Sequence, residues 1–172
     1  VASLPDPVML FGESRFRQRQ TWDMEGGAVL AVADGMVSGR SAMGESFAFT
    51  SYASETRVTR ANRPFAIESI RCEPDRLDPR HVAAFGDFQV MYSLILAGST
   101  EESCFERAAS TVERAVGEIS GDRVVTAFVR PKPGLALVRL LASSFLAADG
   151  PIRKLNGAAA QELLNFNPMI RK

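Results

Sequence analysis

Polar and apolar positions alternate with a period of two over much of the first half of the chain. From Arg15 to Met24, one face carries Phe16, Gln18, Gln20, Trp22 and Met24, and the other carries Arg15, Arg17, Arg19, Thr21 and Asp23. That spacing predicts a half-exposed strand. Glu25-Gly26-Gly27 punctuates it, and the apolar run Ala28 to Ala33 predicts a buried strand. Asp34-Gly35 then reads as a turn, because glycine takes positive φ without steric cost. Gly39 and Gly44 bracket an irregular stretch, and Glu45 to Tyr52 predicts a strand with Phe47 and Phe49 on one face. Arg57 to Thr59, a turn around Asn62-Arg63-Pro64, and Phe65 to Ile70 predict a hairpin. Glu73 to Arg80, with Pro74 and Pro79 among charged residues, reads as a loop.

Asp87 to Ala97 returns to alternation, with Phe88, Val90, Tyr92, Leu94 and Leu96 on one face. A helix follows. Ser99 and Glu102 have the spacing of a capping box. Phe105, Ala108, Val112, Ala115, Val116 and Ile119 form one apolar stripe, and Gly121 stands where a left-handed cap is expected. Val124 to Val129 and Leu135 to Leu141 predict a second hairpin around Pro131-Lys132-Pro133-Gly134. The stretch around Ala158 to Leu164 predicts a last helix, stopped by Pro168. Short strands with frequent turn signals, followed by helices, predict a mainly β fold: stacked antiparallel sheets with C-terminal α-helices, in one domain over residues 1–172.

Composition narrows the function classes. Lys and Arg total 20 and Asp and Glu total 20, which argues against a general binder of nucleic acid or anionic membrane. The apolar runs are far shorter than the ~20 residues a membrane-spanning helix needs, and no signal-peptide pattern opens the chain. The chain has 2 cysteines, Cys72 and Cys104, too few for a disulfide framework, so a cytoplasmic location is expected. Val1 opens in mid-pattern, as if inside a longer protein.

Enzymatic chemistry finds weak support. The single histidine, His81, has no nucleophile motif around it. Cys72, His81 and Cys104 are too scattered to predict a closed metal site. Gly35-Met36-Val37-Ser38-Gly39-Arg40 matches no phosphate-binding loop.

One ordered set of short patterns says more. Pro5-Asp6-Pro7 and Phe11 precede Ser14-Arg15-Phe16-Arg17-Gln18; Asp34-Gly35, Ser38-Gly39-Arg40, Gly44-Glu45 and Tyr52-x-Ser54 follow. In this order and at these gaps the chain resembles the later part of the UreD (UreH) family of urease accessory proteins, with Gly39-Arg40-x-x-x-Gly44-Glu45 the most specific piece. A Gly-rich element found earlier in complete family members has no counterpart here.

The resemblance implies a β-helix-like UreD fold and a non-catalytic role. Family members associate with UreF and the GTPase UreG, dock on apo-urease, and help deliver nickel through an internal water-filled route. On that reading Ni²⁺ passes in transit, with no tightly bound cofactor. A transit path calls for weak oxygen ligands rather than a Cys/His cage, which makes Glu45, Asp34 and Glu13 the candidate carboxylates. Arg40 pairs with Glu45 on this reading. Gly39, Arg40, Gly44 and Glu45 equally fit a bulged corner tied by an ion pair. Arg15, Arg17 and Arg19 are a candidate docking face for an acidic partner, or simply a solvated face. Phe105 and Val112 belong either to the core or to a groove for a partner helix. Two other functions stay open: a truncated interaction domain without a urease role, and a hydrolase using Asp34 and Glu45.

Overall fold

The computed structural model describes residues 1–101 and 103–164. Among the described residues, nine strands and two α-helices build three layers. The central sheet contains β1 (Ala2–Ser3), β2 (Val8–Met9), β4 (Leu30–Val37), β7 (Val90–Ala97), β8 (Val124–Lys132) and β9 (Leu135–Ala142). Its order is β1-β4-β7-β9-β8, and β2 also pairs with β4. The outer sheet contains β3 (Arg15–Met24), β5 (Ser51–Arg60) and β6 (Arg63–Cys72), in the order β3-β5-β6.

The apolar runs form the central sheet because it is covered on both faces. On one face, Tyr92, Leu94, Leu96, Val138 and Leu140 pack against α1 (Ser103–Gly117) and α2 (Phe145–Leu164). The opposite face meets the outer sheet. The alternating strands form that outer sheet, with one face inward and one in water.

The pairing is mixed rather than antiparallel throughout. β3 and β5 run parallel over their whole length, and β1 and β2 run parallel to β4. The chain leaves the outer sheet after β3, crosses into the central sheet as β4, and returns as β5 beside β3. Such a crossover delivers a parallel neighbour.

Four local expectations change. Asp34-Gly35 is not a turn but the middle of β4. Gly35 is required by packing, since a Cβ there would lie 2.7 Å from the Met91 carbonyl oxygen and 2.9 Å from the Tyr92 ring. Residues 45–50 are irregular and β5 starts only at Ser51; Phe47 has a φ of 55° and is buried with Phe49. The β5–β6 turn centres on Ala61 and Asn62, at φ of 49° and 59°, one step ahead of the predicted position. Helix α1 ends at Gly117, before Gly121. Ser99 Oγ accepts a hydrogen bond from the Glu101 N–H at 3.3 Å, while Glu102 and Pro168 lie outside the described residues.

Candidate functional site

The corner between β4 and β5 is built as its glycines demand. After Val37 the chain makes one turn of 3-10 helix, Ser41–Met43. Gly44, at a φ of 78°, closes that turn by donating its N–H to the Ser41 carbonyl at 3.0 Å. Gly39 has a φ of 141°, and a Cβ there would sit 2.0 Å from the Glu45 carbonyl oxygen. Only glycine fits. Across the corner the Arg40 guanidinium grips Glu45 with both arms: Nε donates to Oε2 at 2.9 Å and Nη2 to Oε1 at 2.5 Å. Arg40 also lies 5.1 Å from the centre of the Phe11 ring. Its hydrogen bond holds the Glu45 carboxyl below the usual carboxylate range, and Glu45 in turn raises Arg40. This is a doubly hydrogen-bonded ion pair of the strong kind, placed at the surface. Glu13 lies exposed in the turn between β2 and β3, where its backbone N–H donates to the Ala48 carbonyl at 2.8 Å. A Cβ added at its neighbour Gly12 would lie 3.9 Å from the Glu45 carboxyl carbon.

Asp34 is elsewhere. It points from β4 between the two sheets, where Ser54 Oγ donates to Oδ2 and Gln18 Nε2 donates to Oδ1 at 3.3 Å. The Gly35 N–H and the Tyr52 hydroxyl reach the same Oδ1, at 2.8 Å and 3.5 Å. Burial first, then the Asp34 charge, pushes the Tyr52 phenol well above its ordinary range.

Asp34 belongs to a polar row. The strand register sets it beside Ser93 on β7, which sits beside Arg139 on β9. Opposite, β6 supplies Glu68, whose Oε1 accepts from Ser93 Oγ at 2.7 Å and pairs with Arg139 Nη2 at 3.1 Å. In the outer sheet, Gln18 aligns with Ser54, and Gln20 with Thr56 and Glu68. On one side of this row lies an apolar cluster including Met36, Tyr52 and Met91, and on the other a cluster including Val32, Val58 and Ile95. The interlayer core is thus split by a seam of carboxylates, hydroxyls and amides. Thr56 Oγ1 is buried without a hydrogen-bond partner among the described residues.

Of the carboxylates anticipated from sequence, Glu45 and Glu13 share the corner and Asp34 occupies the seam. Among the described residues, no group of three or more His, Cys, Asp or Glu side chains is placed to hold a metal ion. Sequence reasoning missed Glu68, Ser93 and Arg139. A signal existed for two of them, since Ser93 and Arg139 each interrupt an otherwise apolar strand, as in Leu94-Ile95-Leu96 after Ser93 and Leu140-Leu141 after Arg139.

Arg15, Arg17 and Arg19 stand exposed on the outer face of β3. Arg19 pairs with Glu55 at 3.1 Å. Phe105 and Val112 are 1% and 0% exposed, packed between α1 and the central sheet. They are core, not a partner groove, because α2 and the sheet already cover the stripe. His81 lies in the exposed 73–89 loop, where its Nδ1 accepts the Ala83 N–H at 3.1 Å. Cys72 and Cys104 are both free. No helix among the described residues is long and apolar enough to cross a membrane.

Comparison with known proteins places the whole chain in one family. The family model of the UreD urease accessory protein matches residues 1–172. A urease accessory protein UreD of Sorangium cellulosum is 30% identical over 169 residues, spanning 96% of this chain and 47% of the relative. One from Anaeromyxobacter is 34% identical over 125 residues, covering 70% of this chain and 42% of the relative. The urease accessory protein UreD 2 of Streptomyces griseus is 38% identical over 77 residues, 44% of this chain and 26% of its own. The chain therefore spans under half the length of these relatives. With its whole length matched by the family model, the chain belongs to the UreD family of urease accessory proteins.

Proposed function

We propose that this chain is a non-catalytic, cytoplasmic scaffold of urease maturation, which bridges apo-urease to UreF and the GTPase UreG and lets nickel pass in transit. The observation that carries the nickel part is the polar seam. Asp34 and Glu68 come from facing sheets, separated by hydroxyls and amides, with no Cys or His among the seam residues described above. Hard oxygen donors in small number bind a divalent nickel ion weakly, which suits passage rather than storage. Seam hydroxyls, with buried Thr56 Oγ1 among them, offer hydrogen bonds to the water shell of a hydrated ion.

The corner supports a different task. Its ion pair is exposed and internally satisfied, so Arg40 and Glu45 fix the loop that carries Met43 at the surface, beside the exposed Phe11 ring. On this reading the seam carries the cargo and the corner shapes the surface that partners meet.

The test is co-purification of the chain with UreF and apo-urease, followed by urease activation with nickel. Asp34→Asn with Glu68→Gln is expected to keep UreF bound while activation falls about tenfold or more. Full activation with the double variant would overturn the seam as the route. Absence of UreF binding by the unaltered chain would overturn the scaffold reading.

A further inference from the structure

The outer face of the outer sheet carries a feature that the urease reading does not use. β5 lies in the middle of that sheet, and its outward residues Ser51 and Ala53 are small. On one side stand Arg15, Arg17 and Arg19 of β3; on the other stands Arg71 of β6, in the same transverse row as Arg17 and Ala53. Small residues between arginine walls leave an open trough of about 370 Å³ along β5. Two strand spacings of about 4.8 Å separate Arg17 from Arg71, enough for an extended chain between them.

The charges in the trough are unequal. Arg19 is tied to Glu55 at 3.1 Å, and Arg71 Nε donates to Glu73 Oε1 at 2.7 Å. Arg15 and Arg17 have no carboxylate partner within ion-pair distance among the described residues. Two cations held side by side on one strand, at every second residue, are spaced by about 6.7 Å. That is also the spacing of side chains on one face of an extended peptide. Positive charge along a sheet edge can serve merely to deter edge-to-edge pairing. Edge protection does not call for a small-residue floor, nor for an arginine on the far wall in the same row.

We propose that this trough binds an extended acidic segment of a partner protein, with carboxylates at alternate positions meeting Arg15 and Arg17. The backbone of that segment lies over Ser51 and Ala53. Glu55 and Glu73 flank the free arginines and repel a continuous polyphosphate. The chain also has no net charge with which to attract one. An acidic protein segment is therefore favoured over nucleic acid. The proposal stands independently of the nickel seam and of the identity of the partners in urease maturation.

The experiment is fluorescence anisotropy with the full chain and a labelled peptide alternating threonine and glutamate. The comparison ligands are an isomer with its glutamates contiguous and a single-stranded oligonucleotide of equal charge. Saturable, salt-sensitive binding of the alternating peptide is expected, several-fold tighter than its isomer. Arg15→Glu with Arg17→Glu is expected to weaken it about tenfold or more. Arg63→Glu with Arg123→Glu changes net charge equally at exposed sites outside the trough and is expected to leave binding nearly intact. Circular dichroism checks that each variant is folded. Equal losses in the two double variants, equal binding of the two peptides, no saturable binding, or tighter binding of the oligonucleotide would each overturn the proposal.

Discussion

Replacing Asp34 by alanine tests how far the seam holds the two sheets together. Asp34 accepts from Ser54, Gln18, Tyr52 and its neighbour's backbone N–H. Ser54 is 3% exposed and Tyr52 is fully buried, so water does not readily replace the lost acceptor. A buried donor left without a partner costs about 1–3 kcal/mol. Gln18 is only half-buried and can turn toward water, and the Tyr52 contact at 3.5 Å is long. Ser54 and the Gly35 N–H therefore dominate. Relief from holding a carboxylate between two sheets offsets part of the loss. The net expectation is a destabilisation of about 2–3 kcal/mol. Asp34→Asn keeps one carbonyl acceptor in the same shape and should cost only about 1 kcal/mol. The assay is urea unfolding followed by the fluorescence of Trp22, the single tryptophan. Trp22 packs against the interlayer cluster containing Leu30 and Val58 and so reports separation of the sheets. In the Asn variant the Tyr52 phenol should also titrate at lower pH, because one cause of its upward shift is the Asp34 charge. An Asp34→Ala variant within about 0.5 kcal/mol of the unaltered chain would refute the seam as a structural tie.

The corner offers a matched pair of variants. Gly39→Ala forces a Cβ to 2.0 Å from the Glu45 carbonyl oxygen and should cost about 2–3 kcal/mol in thermal unfolding. Gly44→Ala meets nothing within 4 Å and should show only the left-handed penalty, about 1 kcal/mol. The Glu45 carboxyl is held below its ordinary 4.5, so the stabilising effect of its pairing is fully present above that pH and is lost as pH falls through the lower folded value. Amide exchange at residues 39–45 should accelerate in that acid window, and an exchange rate flat with pH after correction for intrinsic chemistry would contradict the pairing. Burial, then the Glu73 charge, pushes the Cys72 thiol up to about 11 from 9.0. Ellman's reagent at mildly alkaline pH should therefore label half-buried Cys104 well before Cys72, as mass mapping of the labelled peptides would show.

Period-two patterning made β3 and the two hairpins legible, because one face of each alternating strand meets water. It was less informative in the central sheet, where both faces are covered and little distinguishes a core face from another core face. The Asp34-Gly35 dipeptide shows why. Its composition matches a turn, but the glycine is there for the close approach of Met91 and Tyr92 from β7, which no local pattern reveals. Arg40 and Glu45 were legible as a pair because they lie five residues apart across a glycine-bracketed corner. Glu68, Ser93 and Arg139 were not, because their meeting depends on register between strands far apart in sequence. The α1 stripe identified a buried face correctly, whereas its occupant, α2, could be known only from packing.

The seam poses a final question of cause. A sandwich built for stability alone gains by filling its interlayer space with apolar side chains, and buried polar groups are often neutral or costly against such a filling. Here apolar clusters already lie on both sides of the row, so an apolar replacement would join them into one core. Asp34→Leu, Gln18→Leu and Ser54→Ala together remove the carboxylate and two of its side-chain donors. The Gly35 N–H and the more distant Tyr52 hydroxyl are left without that acceptor, a loss the added apolar burial offsets. Stability is then expected to stay within about 1.5 kcal/mol of the unaltered chain, as volume-compatible repacking permits, while urease activation is lost with partner binding intact. Preserved activation in a stable triple variant would make the seam a structural accident. Lost activation in a stable, partner-bound variant would separate the seam's service to nickel from its service to the fold.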